Sequence, residues 1–271
     1  MGTLGGLGSL DRERLGRILR ATRGTISVSD AVRSLGKTPR EAAKLLARWA
    51  RKGWIARVRR GLYVPLALES QVAEAVLEDP WAVAMRLYES CYIGGLSAAE
   101  HWDLTEQVYR TVVVLTTKKT RSRNQEVAGT NFLLKTVPET ALFGLSVVWR
   151  GQTKVSVSDP SRTLADLLAD PSLGGGIRSV RDMLQAYLRS TNKNLPLLLE
   201  YARRLGNGAV FKRLGLLLEE LAPAEDAALD DCRRGLTAGY AHLDPMRRGS
   251  RLISRWRVWV PENWMKGGRG D

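Results

Sequence analysis

The tetrapeptide Thr38-Pro39-Arg40-Glu41 constrains this chain more than any other stretch of it. A hydroxyl three residues ahead of a glutamate lets each of the two side chains bond a backbone N–H that the helix leaves unpaired, and proline at the first helical position has no N–H to lose. A helix therefore starts at Pro39. It can run to about Lys52, and at 100° per residue Ala42, Leu45, Leu46 and Trp49 fall within about 100° of arc. Arg40, Lys44, Arg48 and Arg51 fall within about 80° on nearly the opposite side. Ala43 and Ala47 flank that basic stripe and leave room for a groove to approach.

A second helix is expected just before it. Ser27 reads as an N-cap with Asp30 three residues on, Val28, Ala31, Val32 and Leu35 follow the i, i+3, i+4, i+7 pattern, and Gly36 supplies a left-handed C-cap. From Asp11 to Ala21, Leu15, Ile18 and Leu19 recur among Arg12, Arg14, Arg17 and Arg20, which predicts a first amphipathic helix ended by Arg23-Gly24-Thr25. Two helices joined by a short glycine-containing turn, the second carrying a basic outer stripe, make a helix-turn-helix. Four basic residues also occur on ordinary solvated helices, so the stripe alone does not decide the matter. The continuation does: Trp54-Ile-Ala-Arg-Val58 alternates as a strand, Arg59-Arg60-Gly61 turns, and Leu62-Tyr-Val64 returns until Pro65. A hairpin at this place is a wing, and its arginines would meet phosphates or the minor groove. The candidate DNA-binding residues are Lys37, Thr38, Arg40, Lys44, Arg48, Arg51, Arg57, Arg59 and Arg60.

Charge agrees with this placement. Residues 1–64 hold 15 Lys/Arg against 4 Asp/Glu, residues 65–231 hold 18 against 21, and residues 232–271 hold 9 against 3. A basic surplus gathered at one end is the electrostatic footprint of a polyanion-binding module. At 271 residues the chain has room for two unequal domains. The expected division is a winged helix-turn-helix over 1–68, a connecting segment with a short helix over 69–79, and an α+β domain over 80–271 with a mixed or antiparallel sheet.

In that larger domain Asp79-Pro80 opens a helix to about Glu89, and Tyr92 to Trp102 reads as another with Ser97 near its start. Strands are expected at Thr111–Thr116, Asn131–Lys135, Gly144–Val148 and Thr153–Val157, with a basic loop of Lys118, Lys119, Arg121 and Arg123 between the first two. Helices are expected after Ser158-Asp159-Pro160, after Gly174-Gly-Gly176, and around Leu195–Leu205 and Ala209–Leu221; Arg255–Val260 alternates as a final strand holding Trp256 and Trp259, with Trp264 beyond it.

Trp54-Ile-Ala-Arg-Val-Arg-Arg-Gly-Leu-Tyr63 resembles the wing of the AbiEi-type antitoxins. Tyr92-Ile-Gly-Gly-Leu-Ser97, Leu104-Thr-Glu-Gln107, Val157-Ser-Asp-Pro-Ser-Arg-Thr-Leu164, Gly174-Gly-Gly-Ile177 and Lys212-Arg-Leu-Gly-Leu-Leu-Leu-Glu219 follow in that family's order, so the resemblance runs from about residue 10 to 260. It implies the antitoxin of a type IV toxin–antitoxin pair, encoded beside a nucleotidyltransferase-like toxin, with the first domain repressing the shared promoter through operator DNA. It also implies a setting of phage defence by abortive infection, and neutralisation that need not involve a stable complex. Ser97, Asp159, Arg162, Lys212 and Arg213 are the candidate residues of the antitoxin domain. The alternative is a winged-helix regulator whose second domain senses a ligand or modifies a partner.

The sequence offers no catalytic signature. Walker, Rossmann and zincin patterns are missing, and Gly174-Gly-Gly176 lacks the Lys-Ser/Thr of a phosphate-cradling loop, so a flexible connector is expected there. Ser97 and His101 lie one helical turn apart with Glu100 or Asp103 near them, but a cap and a packed histidine account for the same residues. Asp159 and Arg162 could position a phosphate; an aspartate cap followed by an exposed first-turn arginine is the plainer account. Cys91, Cys232, His101 and His242 show no chelating spacing, and neither a metal nor a cofactor is expected. No apolar run approaches the roughly 18–20 residues of a membrane span, and Met1–Ser9 lacks the basic and apolar regions of a secretory signal, so the chain is expected in the cytoplasm.

Overall fold

A computed structural model describes residues 8–22, 25–66, 79–120, 122–151, 153–262 and 264. The first helix, α1 (Ser9–Ala21), buries Leu15 and Ile18. Ile26–Ser27 then forms a two-residue strand, β1, too short to show any periodicity in the sequence. Ser27 and Asp30 make the expected reciprocal cap on α2 (Val28–Leu35), with bonds of 3.1 and 2.9 Å, and Gly36 closes it at φ 62°. Thr38 and Glu41 cap α3 (Pro39–Arg51) in the same way, and Gly53 turns the chain into β2 (Ile55–Arg59) and β3 (Leu62–Pro65). β1 adds to β3 antiparallel, Ile26 opposite Tyr63, which makes the hairpin a three-stranded sheet. One core serves all these elements: Ile18, Ile26, Ala31, Leu46, Trp49, Ile55 and Tyr63 pack together, with Val28, Val32 and Leu35 on its rim.

The chain divides into two compact units, Met1–Cys91 with Arg110–Thr136 and Val147–Ser156, and Tyr92–Tyr109 with Val137–Ser146 and Val157–Asp271. Beyond the winged helix, the first unit holds α4 (Pro80–Tyr88), capped by Asp79 as the sequence predicts. The connecting helix read over 69–79 lies outside the described residues, Asp79 apart. Cys91–Ile93 is a strand, β4, so the helix expected from Tyr92 begins only at α5 (Gly95–His101); Ser97 is inside it and Gly94, not Ser97, is its cap. Buried on every side, Tyr92 and Ile93 have the β-branched and aromatic character of a short core strand, which a helical reading of three residues overlooks.

β5 (Thr111–Thr116) and β7 (Thr130–Thr136) pair in parallel over six residues, and β6 (Asn124–Val127) returns on β7 through Ala128-Gly129, both left-handed as a two-residue hairpin requires. β8 (Leu145–Arg150) and β9 (Thr153–Ser158) complete a six-stranded sheet in the order β6-β7-β5-β4-β9-β8. The parallel β4/β9 and β5/β7 pairs and the antiparallel β6/β7 pair make it mixed, and the chain is α+β as expected.

The second unit is built on α6 (Pro160–Ala169), in which every residue from Ser161 to Leu168 is buried. Contacts with α5, α7 (Ile177–Arg189), α8 (Leu195–Leu205) and α9 (Gly208–Leu221) enclose it. The three glycines before α7 are not a loose connector: Gly174 ends a 3₁₀ turn and is buried, and a Cβ on it would meet Val180 and Leu167 at 2.7 and 2.8 Å. Gly175 and Gly176 take φ of 76° and 107°, which side-chain-bearing residues rarely adopt. α10 (Asp226–Arg234) and a small sheet of β10 (Ala241–His242), β11 (Arg251–Ile253) and β12 (Val258–Val260) follow. The strand expected over 255–260 is thus shorter: Ser254–Trp256 is a 3₁₀ turn, and Arg257 at φ 54° resets the chain before β12. Trp256 is 1% exposed and packs where Gly215 leaves α9 bare. No described helix is long and apolar enough to cross a membrane.

Candidate nucleic-acid interface

Because Ala42, Leu45, Leu46 and Trp49 are held in the core, the opposite side of α3 is fixed outward. Thr38, Arg40, Lys44, Arg48 and Arg51 are exposed on it, while Lys37 at the turn is half-buried. Glu41 does not offset their charge freely: the Thr38 hydroxyl and backbone N–H hold its carboxylate below the usual pKa and tie it to the helix start. Beside the stripe is an open concavity of about 570 Å³ whose lining includes Arg14, Lys37, Lys44, Arg48 and Arg51.

The wing is anchored to the same frame. Gly61, at φ 77°, accepts the Val28 N–H at 3.2 Å, so the hairpin tip is tied to the start of α2. A register shift between Arg57 and Arg59 bulges β2 near its end. Arg57 and Arg60 are exposed; the side chain of Arg59 lies outside the described residues. Arg40, Lys44, Arg51, Arg57 and Arg60 have no ion-pair partner among the described residues, whereas Arg48 donates from Nη2 to both carboxylate oxygens of Asp11 at 2.9 Å. Asp11 was legible only as a residue of the first helix; nothing local announces a partner 37 positions away.

Of the antitoxin-domain candidates, Ser97, Arg162, Lys212 and Arg213 are buried and Asp159 is half-buried. Asp159 Oδ1 accepts from the Arg162 N–H at 2.8 Å and Oδ2 from the Tyr201 hydroxyl at 2.8 Å, so its cap role stands. Arg162 is not the exposed arginine expected. It is 0% exposed, with Nε 3.1 Å from Asp166, Nη2 2.9 Å from the Tyr92 hydroxyl and Nη1 3.2 Å from the Phe143 carbonyl. Burial pulls its pKa down, but Asp166 and Tyr92 outweigh that and raise it, so the guanidinium stays charged. The arginine faces inward because α6 is enclosed on all sides and a partner one turn on can pair with it.

Ser97 is 5% exposed and lies inside α5. Lys212 and Arg213, both buried on α9, donate to carbonyl and hydroxyl oxygens of neighbouring segments. Lys212 Nζ donates to Thr237 Oγ1 at 2.8 Å and to the Gly239 carbonyl, and burial lowers its pKa. Arg213 spans from the Leu168 carbonyl at 2.6 Å to that of His242 at 2.9 Å, and burial pushes its pKa down to about 10. Of the five, Asp159 and Arg162 bond each other, and both also bond groups within the domain. Of the basic loop, Lys118 pairs with Glu89, and Arg121 lies outside the described residues.

A three-helix core, a basic outer face on its third helix and a hairpin directly behind it define a winged helix-turn-helix. Residues 13–65, which lie within this module, match the family described as transcriptional regulator, AbiEi antitoxin. The crystal structure of the RV2827C protein from Mycobacterium tuberculosis is similar in fold, with a TM-score of 0.63 at 14% identity over 96% of this chain and 94% of that one. No curated protein matches the chain.

Proposed function

We propose that this chain is the antitoxin of a type IV toxin–antitoxin pair, which neutralises a nucleotidyltransferase-like toxin and represses its own operon by binding operator DNA. The single observation that carries the DNA half of this reading is the set of exposed cations Arg40, Lys44, Arg51, Arg57 and Arg60, without an ion-pair partner among the described residues, on a recognition helix and wing fixed by one core. In the docking typical of such motifs α3 enters the major groove and the wing tip follows the backbone. Arg40 carries a planar donor fork that suits guanine, while Lys44 supplies a point charge. The toxin half rests on the family match over residues 13–65 and on the order of the motifs beyond it. We further propose that the chain acts in the cytoplasm and without catalytic chemistry of its own.

Neutralising five phosphates gives a slope of log K against log salt of about −4.5. Fluorescence anisotropy of the full chain on a duplex carrying its upstream region, from 50 to 300 mM salt, is expected to show that slope and a preference over scrambled duplex. A slope near zero would refute the DNA reading. Failure to relieve growth arrest when co-expressed with the toxin encoded beside it would refute the antitoxin reading.

A further inference from the structure

Asp11 stands in the first turn of α1, 16% exposed, with Arg48 on one of its sides and Arg14 at 3.8 Å from Oδ1. Both of its oxygens accept from the same nitrogen of Arg48, Nη2, at 2.9 Å each. A guanidinium grips a base or phosphate bidentately through one of two forks, Nη1 with Nη2 or Nε with Nη2, and both forks need a hydrogen of Nη2. The two oxygens of one carboxylate lie too close together to meet two N–H bonds that diverge by about 120°, so they share one Nη2 hydrogen; the fork that needs it is closed and the guanidinium is held against Asp11. The side chain is still 48% exposed and belongs to the basic stripe, so the restraint acts on the face the groove would meet. An exposed ion pair contributes only about 0–1 kcal/mol to stability, which leaves little structural reason for this one.

Resting on the DNA reading above, we infer that Asp11 is a specificity-determining residue: it closes one fork of Arg48, holds the guanidinium and offsets its charge, leaving discrimination chiefly to Arg40 and Lys44. A carboxylate placed this way keeps the module from gaining an extra guanine contact and an extra phosphate contact on the wrong sequences. Arg14 stays beside Asp11, so the carboxylate remains compensated if Arg48 leaves.

The test uses the full chain as wild type, Asp11→Asn, Arg48→Lys and the Asp11→Asn/Arg48→Lys pair, on upstream-region and scrambled duplexes across a salt series, with folding checked by thermal melting. Asp11→Asn is expected to bind both duplexes about tenfold more tightly at 150 mM salt, with a salt slope steeper by about 0.9. In selection from a randomised duplex it should acquire a guanine preference at one base pair. Arg48→Lys has no fork, so in the wild-type background it should leave base preference unchanged, and in the double variant it should erase the new guanine preference. Weaker or unchanged binding by a folded Asp11→Asn, or a base preference lost in Arg48→Lys alone, would overturn the inference by showing that Arg48 already reads DNA. Should Asp11→Asn not fold, Arg48→Lys decides by itself. A wild type that binds duplex without salt dependence fails the DNA reading instead, and so separates the two.

Discussion

Arg162 shows what a buried cation needs if it is to remain charged. Tyr92 and Asp166 bond each other as well as the guanidinium, with Tyr92 Oη donating to Asp166 Oδ2 at 2.9 Å, so the three groups form a closed set. Removing the arginine leaves a carboxylate only 5% exposed without its counter-ion. Arg162→Leu is therefore expected to lose about 3–5 kcal/mol of stability by urea unfolding, and a loss below about 1 kcal/mol would show that the pair is not held as described. The thiols behave differently. Burial pushes both Cys91 and Cys232 from an ordinary value of 9 up to about 12. The unfolded thiols ionise first as pH rises, so the stability this contributes is complete below about pH 9 and is lost between 9 and 12. Native protein at pH 8 should react with a thiol reagent only after denaturant is added, and its unfolding midpoint should fall across that alkaline window. Rapid reaction of either thiol in the native protein would contradict the burial of both.

At the scale of elements, stability and legibility follow the same physics. The cap on α3 is made by side chains three residues apart, so it could be read from Thr38 and Glu41 alone. Thr38→Ala removes the acceptor of the Glu41 N–H and is expected to cost about 1 kcal/mol, read as a lowered melting temperature. DNA affinity should fall with it, because the cap fixes the end of α3 nearest Arg40; unchanged melting would show that Pro39 and the core set the helix without it. Elements with caps or a clear period, such as α2, α3, α7 and the β2/β3 wing, were all legible for this local reason. β1 and β6 were not: two residues carry no period, and Asn-Gln-Glu-Val is a strand only because β7 returns beside it. The same limit hid the burial of Arg162, Lys212 and Arg213, since a charged residue declares its partner only when the chain has folded. It hid Asp11 as well, whose partner is supplied by another helix.

For the whole molecule, the question is whether operator binding and neutralisation can be separated within one chain. The exposed cations of α3 and the wing contribute nothing to the core of their own module, in which Ile18, Leu46, Trp49 and Ile55 carry the packing. Their removal should therefore be silent for stability, since surface substitutions away from caps and cores usually stay within about 0.5 kcal/mol. Arg40→Ala, Lys44→Ala and Arg60→Ala combined in the full chain are expected to lower operator affinity at 150 mM salt by two orders of magnitude or more. Three lost phosphate contacts should also flatten the salt slope by about 2.7. On the proposed division of labour the same variant still relieves growth arrest by the toxin when both are expressed from foreign promoters, which removes transcriptional control from the comparison. Promoter repression and growth rescue would be scored side by side, with the melting temperature confirming that the variant is folded. Loss of rescue in a folded triple variant would show that neutralisation uses the basic surface of the winged helix, and the two activities would then have to be assigned to one site.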